Sequence, residues 1–298
     1  AGGAIALAPA FERMSQMREL YLDDNDIGVN GARAIAPALM GMTDMRVLNM
    51  SNNNIGAEGA IVFAPALQKM PQMRELFLDH NNIGVDGVKA LATSLRVMTS
   101  LEKLWIHSNT IGAEGAVALA PVLERMPHMR ELSLRDNDIG VNGVKAIALS
   151  LRVMTALEKL WIHRNNIGAE GAIALAPALE RMPHMRELSL RDNDIGADGV
   201  KALATSLRVM TSLEKLWIGS TKIGAQGAIA LAPALERLPQ MRELYLDDND
   251  IGADGVKAIA LSLRVMTSLR QLWIDRNNIG AEGAIALAPV LERMPHMR

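Results

Sequence analysis

The sequence predicts an α/β fold, a right-handed solenoid with parallel strands in one layer and helices in the other. Two observations predict it. The dipeptide Ile-Gly recurs every 28 residues, ten times and without insertion, from Ile27 to Ile279. Within each repeat, a segment with the apolar period of a strand precedes one with the period of a helix. Such a unit cannot bury its apolar sides alone, but stacked copies can.

Repeats of two kinds alternate along the chain. The four tryptophans, at positions 105, 161, 217 and 273, are 56 residues apart, and residues 111–166 and 167–222 agree at 45 of 56 positions. The sequence therefore predicts ten 28-residue repeats in 56-residue pairs. We expect a single domain over 1–298, in which 1–16 supply the helix of an incomplete repeat and 17–298 supply ten strand-helix repeats.

Each repeat begins with a predicted strand and continues into a predicted helix. The segment LEKLWI at 157–162 alternates apolar and polar residues, which is typical of a strand with one buried face. Two glycines, Gly168 and Gly171 in this repeat, mark the turn that follows. The segment at 168–182 places Ile173, Ala176, Leu179 and Met182 three residues apart, so we expect them to form the buried face of the helix.

The pattern LEKLWIHRNNIGAEGAIALAPAL resembles the leucine-rich repeat L-x-x-L-x-L-x-x-N-x-L. Paired units and a G-x-x-G turn into a helix are similar to the subclass found in ribonuclease inhibitor and in NOD-like innate-immune receptors. The resemblance covers the whole chain. It implies a horseshoe with the parallel sheet on the concave face and helices on the convex face. It also implies a protein or peptide partner that binds on the concave face, at the strand ends, or both.

The asparagine of the motif recurs in nine repeats, and Thr221 replaces it in one. In the family this side chain satisfies backbone groups where the strand bends away from its neighbour. The Thr221 hydroxyl offers fewer hydrogen-bonding groups than an amide, so we expect that repeat to be looser. The asparagines are Asn25, Asn53, Asn81, Asn109, Asn137, Asn165, Asn193, Asn249 and Asn277.

Charged residues near the start of each strand alternate in sign. We expect them to form a row across neighbouring strands, about 4.8 Å apart. A slip of one repeat would place like charges side by side, so we expect this row to be mainly structural, with a lesser role in ligand contact. The middle of the row comprises Glu131, Lys159, Glu187, Lys215 and Glu243.

Aromatic residues concentrate at a single position of the repeat, beside the buried strand residues. Exposed rings in a row are typical of a binding surface, because each offers large rigid area at little entropic cost. The alternative is that each indole packs on a neighbouring strand or on a lysine. The candidate ligand-binding set also includes lysines two residues before the aromatic position and the variable histidines and arginines two residues after it. This set is Tyr21, Phe77, Trp105, Trp161, Trp217, Tyr245, Trp273, His107, His163, Arg135, Arg191, Lys103, Lys159 and Lys215.

Several classes of function are disfavoured. The chain has no cysteine, which excludes disulfides, thiolate metal sites and thiol nucleophiles. A net charge of −2 without a basic block argues against nucleic acid or an anionic membrane as partner. His107 and His163 should lie two strands apart, about 10 Å, which is too far for a shared metal or a proton relay. The acidic runs at 22–28 and 246–252 do not have the spacing of a calcium loop. We therefore predict no catalysis, no metal and no cofactor.

Three hypotheses of function remain. The first is a module that recognises a protein or peptide on the concave face. The second is a glycan or small-ligand binder that uses the tryptophan row, and the third is a natural or engineered repeat scaffold without a dedicated ligand. The ends lack divergent capping sequences, so we also expect self-association through them. No apolar run reaches about 18 residues and the N-terminus lacks a basic signal-peptide start, so we expect a cytoplasmic protein.

Overall fold

The computed structural model describes residues 1–294, 296 and 297. The chain divides into two compact units, Ala1–Met154 and Thr155–Arg298. The first contains α1 Gly2–Phe11, β1 Glu19–Tyr21, α2 Gly28–Leu39, β2 Val47–Asn49, α3 Gly56–Leu67, β3 Glu75–Phe77, α4 Gly84–Leu95, β4 Lys103–Trp105, α5 Gly112–Leu123, β5 Glu131–Ser133 and α6 Gly140–Leu151. The second contains β6 Lys159–Trp161, α7 Gly168–Leu179, β7 Glu187–Ser189, α8 Gly196–Leu207, β8 Lys215–Trp217, α9 Gly224–Leu235, β9 Glu243–Tyr245, α10 Gly252–Leu263, β10 Gln271–Trp273 and α11 Gly280–Leu291.

Strands within each unit pair in parallel with their neighbours in sequence, at a shift of one repeat. In the first unit Leu76 pairs with Leu48 and Leu104. In the second, Leu216 pairs with Leu188 and Leu244 in the same way. Within each unit, successive helices pack on one another, so helices form the second layer. The predicted α/β strand-helix solenoid is therefore confirmed in each unit. None of the helices in the described part of the chain combines the length and apolarity that crossing a bilayer requires.

The apolar core lies between the two layers, but one predicted core residue is wrong. Ile173 is 47% exposed, whereas Ala172, Leu175, Ala176 and Leu179 are buried. Residues three apart shift by about 60° around a helix at each step, so a series counted in threes leaves the buried stripe. The i, i+3, i+4, i+7 pattern starting at 172 stays within it.

In most repeats of each unit, a buried asparagine links the repeat to the one before it. The Asn81 Nδ2 group donates to the carbonyl oxygens of Leu78 at 3.0 Å and Met50 at 2.8 Å. Asn81 Oδ1 accepts from the backbone N–H groups of Asn53 at 3.0 Å and Ile55 at 3.3 Å. The side chain is fully buried, so these bonds satisfy backbone groups that water cannot reach. The structural role that the resemblance implied for the asparagine is confirmed.

The turn around the asparagine uses left-handed backbone conformations. His80 and Asn82, on either side of it, have φ values of 55° and 54°, and Gly84 has a φ of 65°. A residue with a Cβ atom adopts this region at a cost, which is lowest for asparagine and aspartate. The turn therefore explains the Asn/Asp-rich composition of this segment in most repeats.

Thr221 leaves part of this network unmade. Its Oγ1 lies 2.7 Å from the Ile218 carbonyl oxygen and 3.0 Å from Asn249 Oδ1. In the described part of the chain, no hydrogen bond runs to Thr221 Oγ1 from the backbone N–H of Asn193 or Ile195. Two amides that have a side-chain acceptor in other repeats thus lack one here. This is the physical basis of the looser packing that the sequence predicts.

The predicted row of alternating charge is present in both units. Lys215 Nζ lies 3.3 Å from Glu187 Oε1 and 3.6 Å from Glu243 Oε1, on the strands to either side. In the first unit, Lys103 Nζ lies 3.2 Å from Glu75 Oε1. A slip of one repeat would place like charges side by side, so these pairs favour the observed register.

Replacing Thr221 with asparagine should stabilise the protein, by about 1–2 kcal/mol, because the amide supplies the missing acceptor and a second donor. Urea unfolding of Thr221→Asn and wild type measures this difference. The matched control is Asn81→Thr, which should shift the midpoint to lower urea. An unchanged or lower midpoint for Thr221→Asn would contradict the assigned role of the asparagine network.

Candidate functional site

The solvent side of each sheet carries the predicted site residues. In every strand the central leucine points to the core, so the first and last strand residues lie on the opposite side. We call this side, together with the second residue after each strand, the open face. Aromatic residues end seven strands on this face: Tyr21, Phe77, Trp105, Trp161, Trp217, Tyr245 and Trp273.

The rings differ in exposure and contact one another. Tyr21 is 58% and Trp273 50% exposed, and the other five are half-buried. The Phe77 and Trp105 centroids lie 4.9 Å apart in an edge-on arrangement. Tyr245 lies 5.9 Å from Trp217 and 5.2 Å from Trp273. Neighbouring rings therefore hold one another in fixed orientations while keeping part of their surface exposed.

Two of the predicted lysines pack on tryptophans of their own strands. Lys159 Nζ lies 5.8 Å from the Trp161 ring centroid and Lys215 Nζ 5.7 Å from that of Trp217, within the range of a cation–π contact. Partial burial acts to lower the pKa of Lys215, but Glu187 and Glu243 outweigh it and raise that pKa. Lys215 therefore stays charged, and both lysines support the indoles as well as facing solvent.

His107, which the sequence places among exposed contact residues, is only 4% exposed. Its Nδ1 lies 3.0 Å from Ser133 Oγ and its Nε2 lies 2.8 Å from Arg135 Nη2. A guanidinium can only donate, so Nε2 holds the lone pair and Nδ1 the proton. Asp79 Oδ2 lies 3.5 Å from the same Nε2. The structure thus brings His107 and Arg135 together with a carboxylate that the sequence did not indicate.

Asp79 is buried at the same position of the repeat, one strand before His107. Ser51 Oγ donates to its Oδ1 at 2.6 Å. Burial raises the pKa of Asp79 despite this hydrogen bond. The signal in the sequence was the position itself: Ser51, Asp79, His107 and Arg135 are 28 residues apart, which places them in one row.

A cavity of about 440 Å³ opens on the open face of the first unit. Carboxylates, amides and the edges of two aromatic rings form its wall. The lining residues are Asp23, Asp24, Asn49, Ser51, Asn52, Phe77, Asp79, His80 and Trp105. Such a concave surface with apolar and polar groups can accommodate a protruding side chain of a partner.

The second unit carries a different arrangement at the same position of the repeat. His163 is half-buried, and its Nδ1 lies 2.9 Å from Ser189 Oγ. Arg191 reaches across one repeat, and its Nη2 donates to Asp247 Oδ2 at 2.8 Å. Gly219 lies between them, and a Cβ atom there would clash with the Asp247 carboxylate. The loss of a side chain at Gly219 is therefore what admits the pair.

Removing Arg191 should destabilise the protein in a pH-dependent way. Burial raises the pKa of Asp247 and Arg191 lowers it, so Arg191→Met raises that pKa further. A carboxyl group with a raised folded-state pKa destabilises the fold once pH exceeds its unfolded value of about 3.9. We expect a loss of about 1–3 kcal/mol at pH 7 that shrinks as pH approaches 4.

Chemical unfolding between pH 4 and pH 7 measures this dependence. The double variant Arg191→Met with Asp247→Asn is the control, since it removes the charge that Arg191 compensates. It should recover most of the loss at pH 7. An equal loss at both pH values, without recovery in the double variant, would show that Arg191 acts only through packing.

Comparison with known proteins bears on the fold and the family. The chain is similar to the crystal structure of an internalin (inlF) from Listeria monocytogenes str. 4b F2365, at 18% identity and a TM-score of 0.55, over 99% of this chain and 93% of that chain. At this identity the similarity concerns the fold alone. Curated proteins give no match. The family model described as Leucine Rich repeat matches 15–36, 41–64, 70–92, 97–120, 125–148, 154–176, 181–204, 209–232, 238–260 and 265–288. These matches cover most of the chain, which therefore belongs to the leucine-rich repeat family.

Proposed function

We propose that the chain is a recognition module that binds a protein or peptide partner across the open face, without catalysing a reaction. The observation that carries this proposal is that aromatic side chains end three strands on the open face of the first unit and four strands on that of the second, in a leucine-rich repeat protein. Large aromatic residues contribute most to the affinity of protein interfaces when a partner desolvates them. The core does not need them, because the leucine beside each ring already fills it.

The contacts among the rings support this proposal. Packing of Trp217 against Tyr245 and under Lys215 restricts the indole before any partner arrives. A restricted side chain loses little entropy on binding, so more of the contact energy appears as affinity. Intramolecular packing is thus compatible with recognition, because the rings of Phe77, Trp105, Trp217, Tyr245 and Trp273 contact an aromatic neighbour and present their remaining surface.

Charged residues beside the rings extend the proposed contact surface. Both signs are present, so orientation and partner choice would depend on complementary charge rather than on net attraction. His107 is buried, and we assign it an indirect role through Arg135. The proposed polar contacts are Lys103, Lys159, Lys215, His163, Arg135 and Arg191.

We assign the repeats to the ribonuclease-inhibitor-like subclass, in a single continuous domain. Twelve-residue helices in every complete repeat and the unbroken 28-residue spacing support this assignment. A cytoplasmic location and self-association through the ends stay predictions. Sedimentation over a range of concentrations tests the latter, and a strict monomer at high concentration would contradict it.

The double variant Trp161→Ser with Trp217→Ser tests recognition without disturbing the fold. Serine occupies the same position in Ser133 and Ser189, so the solenoid accommodates it. A partner that covers about 100 Å² of each ring gains on the order of 2.5 kcal/mol per ring. We therefore expect the variant to lose at least about tenfold in affinity for a protein captured by wild type.

Affinity capture followed by titration with the purified partner provides the measurement. The matched control is Ile173→Ser, which removes an exposed apolar side chain from the helix side and should leave binding unchanged. Equal binding by wild type and the tryptophan variant would contradict the proposal. Loss of binding to an array of glycans, with no protein partner affected, would instead favour the sugar-binding alternative.

A further inference from the structure

Three neighbouring side chains beside the open face of the first unit are of the types that bind metal ions. Asp79, His80 and His107 each place one potential ligand atom within 4.8 Å of the others. Imidazole nitrogen and carboxylate oxygen are the ligands that zinc and neighbouring divalent ions accept in proteins. We propose that these three residues bind one Zn²⁺ ion or a similar late first-row divalent cation. The proposal does not rest on the protein-recognition function.

The spacing of two ligand atoms matches a tetrahedral ion. Asp79 Oδ2 and His107 Nε2 are 3.5 Å apart. Two ligands at about 2.0–2.2 Å from a tetrahedral Zn²⁺ ion lie about 3.3–3.6 Å from each other. His80 comes from the left-handed turn directly after Asp79, and its ring lies 5.2 Å from that of His107 in an edge-on arrangement. The third imidazole is thus adjacent to the pair without a change in the fold.

The other polar atoms of the two buried ligands already have partners. His107 Nδ1, which carries the proton, lies 3.0 Å from Ser133 Oγ. Asp79 Oδ1 accepts from Ser51 Oγ at 2.6 Å. Metal-bound imidazoles usually donate their second N–H in this way, which fixes the tautomer and the ring orientation. The two serines therefore leave the His107 lone pair and Asp79 Oδ2 on the same side.

Arg135 competes with the ion for His107. Its Nη2 lies 2.8 Å from Nε2, so the lone pair cannot serve both groups. Arg135 is partly exposed, and its Nη1 lies 3.7 Å from Asp136 Oδ2 on the solvent side, which gives it a second partner after displacement. The site should therefore bind metal more tightly when Arg135 is absent.

The surroundings favour a cation on the approach to the site. Asp79 and His80 form part of the wall of the 440 Å³ cavity, and Asp23 and Asp24 line the same wall. The cavity provides an entry path and room for a water molecule or a partner side chain as a further ligand. An open position of this kind is typical of zinc sites with three protein ligands.

Zn²⁺ titration by calorimetry, supported by Co²⁺ absorption spectroscopy, tests the proposal on the 298-residue chain. We expect one ion per chain. His80→Asn should weaken binding at least about tenfold, as should Asp79→Asn. The first substitution preserves the fold, because Asn52 occupies the equivalent left-handed position in the preceding repeat. Arg135→Gln should tighten binding.

His163 supplies the matched control. It makes the same contact to a serine as His107 does, 2.9 Å from Ser189, but belongs to no metal-ligating group among the described residues. His163→Gln should bind Zn²⁺ as wild type does. Equal affinity of wild type and His80→Asn, or an equal loss in His163→Gln, would overturn the proposal in favour of adventitious binding to surface histidines.

Discussion

Burial of the asparagine side chain at the strand-to-helix bend is the constraint on which the rest of the structure depends. The strands are only three residues long, so they offer few ladder hydrogen bonds of their own. Where the chain leaves the sheet, the amide of Asn81 takes over, donating one hydrogen bond to the preceding repeat and accepting two from it. An unpaired buried backbone group costs about 1–3 kcal/mol, so a displaced repeat would lose several such contributions at once.

Fixed stacking turns positions in the repeat into rows on the open face. Residues 28 apart become neighbours, which is why Lys215 lies between two glutamates and Tyr245 between two tryptophans. Substitutions within a row change the chemistry of the surface without changing the fold. Gly219 illustrates this freedom, since one missing side chain allows Arg191 to reach a carboxylate two repeats away. The proposed recognition surface and the proposed metal site can therefore both lie on the open face of the first unit.

The sequence predicted the solenoid, the asparagine network and the alternating charges because each depends only on the repeat period and on contacts between adjacent repeats. It failed at Ile173, where a count in threes departs from the helical stripe. It also treated His107 as exposed and overlooked Asp79. Their arrangement depends on side-chain length, as does the contact between Arg191 and Asp247, which lie two repeats apart. The period indicates the row in which a side chain lies, but not how far that side chain extends along it.

Hydrogen exchange at the repeat interrupted by Thr221 tests the central constraint most directly. The backbone N–H of Asn165 donates to Asn193 Oδ1 at 2.9 Å and that of Ile167 at 3.5 Å, whereas those of Asn193 and Ile195 face a threonine. Mass spectrometry of peptides covering 162–168 and 190–196 compares the two pairs in the native protein. The account predicts faster exchange at Asn193 and Ile195 than at Asn165 and Ile167. Equal protection of the two pairs would show that the asparagine amide is not what holds the repeats together.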